Sequence, residues 1–204
     1  MGILNDLAIH HNTDKSSSAH NFCDFYESHF NTIKDNELSV LEIGVHKGSS
    51  ILMWHDYFQK SKIYGIDIFN VNWLNSERIL TAICDQSKRE DLLNVYNGAI
   101  FDIIVDDGGH KMDQQQITFS VMFKRLKTNG FYVLEDLHTS NMEEYRDYKD
   151  YATSTLYGFD NFSSSHKFSF PYLTDDENIE LSKSVNTIEI FRNGGSITSV
   201  ITKK

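Results

Sequence analysis

The chain is 204 residues long, which at roughly 150 residues per domain favours one domain over two. Hydrophobic residues at 40%, aromatics at 13% and charged residues at 24% exclude disordered, collagen-like and coiled-coil classes, and a formal charge of −10 argues against a broad phosphate-neutralising surface of the nucleic-acid-binding kind. No apolar run approaches the ~18 to 20 residues that cross a bilayer, the start lacks a basic region followed by an apolar stretch, and neither Cys23 nor Cys84 belongs to a Cys-x-x-Cys pair, so the expectation is a cytoplasmic protein with two buried thiols and no membrane segment.

Residues 1–36 read as an N-terminal helical cap, in which Phe22, Cys23, Phe25, Tyr26 and Phe30 recur at helical spacing and predict a helix over 19–30. Ser39 to Gly44 is a short apolar strand and Ser49 to Phe58 a helix. Lys62 to Ile68 and Arg78 to Ile83 read as the next two strands. Ser87 to Tyr96 reads as a helix with Ser87 as N-cap and Glu90 three residues on, the spacing of a capping box. A fourth strand, Phe101 to Asp106, is followed by a helix from Met112 to Leu126 and a fifth strand, Gly130 to Glu135. Residues 141–185 form a variable segment with Tyr148, Tyr151, Tyr157, Phe159, Phe162, Phe168 and Phe170. Aromatic rings stack on sugars, so it reads as an acceptor pocket or lid, with a subunit interface or ordinary core as the equal alternative. Thr187 to Arg192 and Ser196 to Thr202, joined by Asn193-Gly194-Gly195, predict an antiparallel hairpin. The expected fold is α/β, a mostly parallel central sheet flanked by helices on both faces and finished by that hairpin.

Ligands of open α/β sheets bind beyond the carboxyl ends of the strands. The first such loop contains Gly44 and Gly48, a spacing that matches neither the dinucleotide fingerprint nor the P-loop. An ionised Glu42 there would repel a pyrophosphate and attract the amino or sulfonium group of S-adenosylmethionine. Asp67, ending the second strand, would take both hydroxyls of a ribose. The bland alternative for the glycines is a tight strand-to-helix turn.

Leu41-Glu-Ile-Gly-Val-His-Lys-Gly-Ser49, Tyr64-Gly-Ile-Asp67, Asp85-Gln-Ser87, Phe101-Asp-Ile-Ile-Val-Asp-Asp-Gly-Gly-His110 and Gly130-Phe-Tyr-Val-Leu-Glu-Asp-Leu-His-Thr-Ser140 together resemble class I S-adenosylmethionine-dependent methyltransferases. More narrowly, the sequence resembles the metal-dependent sugar O-methyltransferases of macrolide tailoring, the mycinose-pathway type, and related polysaccharide-modifying enzymes. The resemblance runs from Asn12-Thr-Asp-Lys15 to the final hairpin and is weakest from Asn141 to Val185. It implies a Rossmann-like fold with S-adenosylmethionine held by Thr13, Glu42, Gly44, Lys47, Ser49, Asp67, Ile68, Asp85, Gln86 and Asp106, with Asp85 near the adenine. The segment Thr13-Asp14-Lys15 would cap the cofactor or active site, or merely form a helix N-cap.

Asp106, Asp107 and His110 follow the fourth strand, and Glu135, Asp136 and His138 the fifth. Carboxylates converging from two neighbouring strands without nearby basic residues repel one another unless they are protonated or neutralised, and a divalent cation would neutralise them. Hard oxygen ligands select magnesium, or manganese, over zinc. The resemblance makes Asp107, Glu135 and Asp136 the metal ligands and His110 the general base, with Gly109 standing where the family has serine. His138 would orient a ligand or the substrate. The catalytic set is therefore His110, Asp107 and His138. The alternative is that these carboxylates cap helices.

The implied function is a divalent-metal-dependent O-methyltransferase acting on a sugar hydroxyl of a deoxysugar, glycan or glycosylated natural product. Its partners would be a small sugar or glycoside acceptor and further copies of itself as a dimer or tetramer, without nucleic acid or membrane. A catechol-type O-methyltransferase and a non-catalytic cofactor-binding subunit are the alternatives.

Overall fold

Strands with near-continuous apolar runs send alternate side chains to opposite faces, and both faces of this sheet are covered as a result. A computed structural model describes residues 2–204. Its sheet holds β1 (Ser39–Ile43), β2 (Lys62–Asp67), β3 (Ile79–Ile83), β4 (Phe101–Asp106), β5 (Leu126–Leu134), β6 (Val185–Asn193) and β7 (Ser196–Lys203) in the order β3-β2-β1-β4-β5-β7-β6. The first five pair in parallel, whereas β7 runs antiparallel to both β5 and β6. Strand order reverses between β1 and β4, and this switch point is where the site lies.

Leu41, Ile43, Ile104, Tyr132 and Leu134 point into one core, whereas Val40, Ile103, Val105 and Val133 point into the other. The second core is closed by α1 (Ile3–His10), α2 (Cys23–Phe30) and α3 (Ser49–Tyr57), through Leu4, Ala8, Tyr26, Phe30 and Trp54. The first is closed by α4 (Arg89–Asn94), α5 (Met112–Phe123), α6 (Thr155–Ser165) and α7 (Asp175–Ser184). Cys23 and Cys84 are buried and unpaired. Among the described residues no helix is long and apolar enough to cross a membrane.

Three local details depart from the sequence pattern, and a fourth falls on one of the two readings it left open. The second helix begins at Cys23, not Ala19, because residues 13–22 form tight turns in which the Phe22 amide donates to the Lys15 carbonyl at 2.9 Å. Helix α4 is short and Ser87 does not cap it: its hydroxyl and amide both donate to Asp85 Oδ1, at 2.6 and 3.0 Å, so an Asx-type turn has taken the would-be cap. Strand β5 starts at Leu126 and absorbs extra residues opposite a register shift between Phe101 and Ile103, with Asn129 in the left-handed region. Finally, the aromatic residues of 141–185 go mainly to the core. Phe159, Phe162, Phe168 and Phe170 are buried, with Phe162 on Phe168 at 4.6 Å and Phe159 on Phe119 at 5.4 Å, and no residue of the segment lines the cavity described next.

Candidate active site

A crevice of about 690 Å³ opens beyond the carboxyl ends of β1, β2 and β4. Its floor is a glycine turn. Gly44 has φ +87°, and a Cβ there would lie 2.1 Å from the Asp107 carbonyl oxygen, so only glycine lets the two loops touch. Of the residues expected at the cofactor, Thr13, Gly44, Lys47, Ser49, Asp67, Ile68, Asp85 and Gln86 all line this crevice.

Asp67 joins the loops after β1 and β2. Its Oδ2 accepts from the His46 amide and its Oδ1 from the Phe69 amide, both at 2.8 Å. The side chain thus fixes the wall at the position where the sequence reading puts a ribose. Asp67→Ala removes charge-assisted hydrogen bonds worth about 1.5 to 3 kcal/mol each, and S-adenosylhomocysteine affinity is expected to fall at least tenfold by calorimetric titration. Equal affinity would remove Asp67 from the cofactor site. At the end of β3, the Ser87 hydroxyl donates to Asp85 and holds its carboxyl below the usual aspartate range, leaving an anionic acceptor at the rim.

Glu42 and Asp106 stand one layer behind this wall and do not line it. Glu42 is fully buried and accepts from Trp54 Nε1 at 3.2 Å, and burial, opposed by Lys15, pushes its pKa up to about 7. Asp106 is likewise raised by burial to about 7, against the hydrogen bonds it receives from the Tyr132 hydroxyl at 2.8 Å and Gln86 Nε2 at 2.7 Å. Gln86 in turn accepts from the Gly109 amide at 2.6 Å. The amide of Gln86 therefore serves the loop that carries His110, and Asp106 anchors Gln86.

On the far side of the crevice Asp107, His110 and Asp136 converge, one ligand atom from each lying within 4.8 Å of the others. His110 Nε2 is 3.3 Å from Asp136 Oδ2. Asp136 itself is held in the left-handed region at φ 54°, a strained conformation for a non-glycine residue that aims its carboxylate into the crevice. His138 lies outside the lining, with Nδ1 3.8 Å from Asp136 Oδ1.

Contrary to the sequence reading, a basic residue is present. Lys15 is 1% exposed, and its Nζ donates to Asp107 Oδ2 at 2.5 Å and Glu135 Oε2 at 3.1 Å, with Glu42 Oε1 at 4.0 Å. Burial works against the ammonium, yet Asp107, Glu135 and Glu42 hold its pKa well above the usual lysine value. Glu135, expected among the metal ligands, is turned toward Lys15, and its Oε1 is buried with no hydrogen-bond partner. The Thr13-Asp14-Lys15 motif was the only local signal for this contact, which is made across 92 residues to Asp107 and 120 to Glu135.

One ammonium does not balance Glu42, Asp107, Glu135 and Asp136, and burial, opposed by Lys15 and reinforced by Asp107 and Asp136, raises Glu135 well above the usual carboxyl range. An all-oxygen set with one imidazole beside it and an unused buried carboxylate oxygen fits a hard divalent cation.

No protein-family model matches the chain. It is 35% identical over 164 residues to 8-demethyl-8-alpha-L-rhamnosyl tetracenomycin-C 2'-O-methyltransferase of Streptomyces olivaceus, covering 76% of this chain and 43% of that protein. It is 34% identical over 145 residues to L-olivosyl-oleandolide 3-O-methyltransferase of Streptomyces antibioticus, covering 67% and 38%. The chain thus spans about two fifths of the length of these curated relatives. Among solved structures it superposes on MycE methyltransferase from the mycinamycin biosynthetic pathway, a complex with Mg and SAH, with TM-score 0.85 at 24% identity, over 99% of this chain and 55% of that one. With relatives of this identity and a superposition that takes in 99% of its length, the chain belongs to the class I S-adenosylmethionine-dependent methyltransferases, as a homologue of their sugar O-methyltransferases.

Proposed function

We propose that this domain transfers a methyl group from S-adenosylmethionine to a hydroxyl of a sugar or glycoside, with a divalent ion, magnesium or manganese, held by Asp107, Asp136 and Glu135. The observation that carries the reading is that one crevice presents both Asp67 and Asp85, suited to a nucleoside, and Asp107, His110 and Asp136, suited to an acceptor hydroxyl. Relatives named for methylation of rhamnosyl and olivosyl groups, and a structural neighbour solved with Mg, SAH and mycinamycin VI, support that acceptor class.

In this reading Asp67 fixes the ribose and Asp85 receives the adenine amine, so the methyl group points across the crevice to the acceptor. The C–S bond of the sulfonium breaks as the new O–CH3 bond forms, leaving S-adenosylhomocysteine. The alcohol's proton passes to the His110 imidazole, and Asp136, whose Oδ2 lies 3.3 Å from Nε2, stabilises the imidazolium. A divalent ion in the carboxylate set supplies Lewis acidity that lowers the hydroxyl pKa. His138 is placed to orient a ligand or the substrate: its Nδ1 is buried without a hydrogen-bond partner, 3.8 Å from Asp136 Oδ1. Thr13, Lys47, Ser49 and Ile68 complete the cofactor's surroundings.

The test is methyl transfer from labelled S-adenosylmethionine to a panel of nucleotide deoxysugars, macrolide glycosides, catechols and short RNA. Labelled glycoside is the expected product. Catechol or RNA methylation with no sugar product would overturn the acceptor class, and label retained on the cofactor with every acceptor would overturn the activity.

A further inference from the structure

Lys15 divides the carboxylate cluster into two sides. Its ammonium lies on the buried side with Glu42 and Glu135, whereas Asp107, Asp136 and His110 retain 20%, 18% and 29% exposure toward the crevice. The lysine is locked there by its own backbone, whose carbonyl accepts from the Phe22 amide at 2.9 Å and from Cys23 Sγ at 3.2 Å. An ammonium is drawn this far from water only where acids hold it, and buried carboxylates without such a partner either take up protons or collect cations. Three strand ends depend on this one charge: Glu42 on β1, Asp107 after β4 and Glu135 after β5.

We propose that Lys15 is the tethered counter-cation of the ion site. It stands in for part of the missing positive charge when no ion is bound, stabilises that ion-free state, and thereby keeps divalent-ion affinity low enough for exchange. The inference rests on the divalent-ion reading above. Its sign follows from linkage: a group that stabilises the ion-free protein and repels the incoming ion weakens binding, so removing it strengthens binding.

The experiment is manganese binding at pH 8, followed by electron paramagnetic resonance of free Mn2+ for the parent and Lys15→Met without cofactor or acceptor, together with melting temperatures with and without Mn2+. Lys15→Met is expected to bind Mn2+ at least tenfold more tightly than the parent, to melt lower than the parent without ions, and to gain more from Mn2+. Equal or weaker affinity in the variant would overturn the inference while leaving the divalent-ion reading intact. A parent that binds no Mn2+ would overturn that reading and this inference with it. If Lys15→Met does not fold without ions, Lys15→Met/Glu135→Gln, which loses one charge of each sign, is expected to fold and to melt above the single variant. A double variant no more stable than the single one would show that Lys15 serves packing and not charge.

Discussion

His110→Ala is expected to lower the rate of methyl transfer by roughly a hundredfold or more, the usual contribution of a positioned general base, with S-adenosylhomocysteine affinity unchanged. The separation follows from the architecture. His110 belongs to the loop after β4 and faces Asp136, whereas Asp67 and Asp85, which carry the cofactor in this reading, end β2 and follow β3. Loss of the imidazole removes a proton acceptor without disturbing the carboxylate that staples the loops after β1 and β2. Single-turnover rates with labelled cofactor, set beside calorimetric affinity, read the two quantities independently. An unimpaired variant would assign the proton to another acceptor.

Exhaustive chelation should have the larger effect. Removing divalent ions is expected to abolish turnover while changing S-adenosylhomocysteine affinity by no more than a few-fold, and magnesium or manganese should each restore activity. The carboxylates around Lys15 carry more negative charge than its ammonium balances, and in the proposed reading the nucleoside is held by Asp67 and Asp85. Undiminished turnover after chelation would take the ion out of the reaction.

Much of this was legible in the sequence because it is local. The near-continuous apolar runs give β1 to β4 almost to the residue, and the motif loops fall at the strand ends where ligands of such sheets gather. The exceptions are places where one interaction displaced another. Asp85 captured Ser87 and left α4 without its predicted cap. The rings of Phe159, Phe162 and Phe168 satisfy an acceptor surface and a core equally well by composition, and only the presence of Phe119 across the interface shows which they join. Lys15 was illegible for a different reason. Its role depends on acids that become its neighbours only through the sheet order, and the withdrawal of Glu42 and Asp106 behind the wall has the same origin.

The long reach of Lys15 also sets an order of assembly. Its contacts close loops of 92 and 120 residues, and Tyr26 meets Thr198 across 172. Loop-closure entropy must be overcome before such contacts form, which makes them late events in folding. A nascent chain that stops short of Glu135 already has the glycine turn of β1 and the carboxylate of Asp67, but its lysine has only part of its acid set and must remain in water. The carboxylate centre is thus completed only after β1, β2 and β3 have been made, and before the final hairpin of β6 and β7 has been.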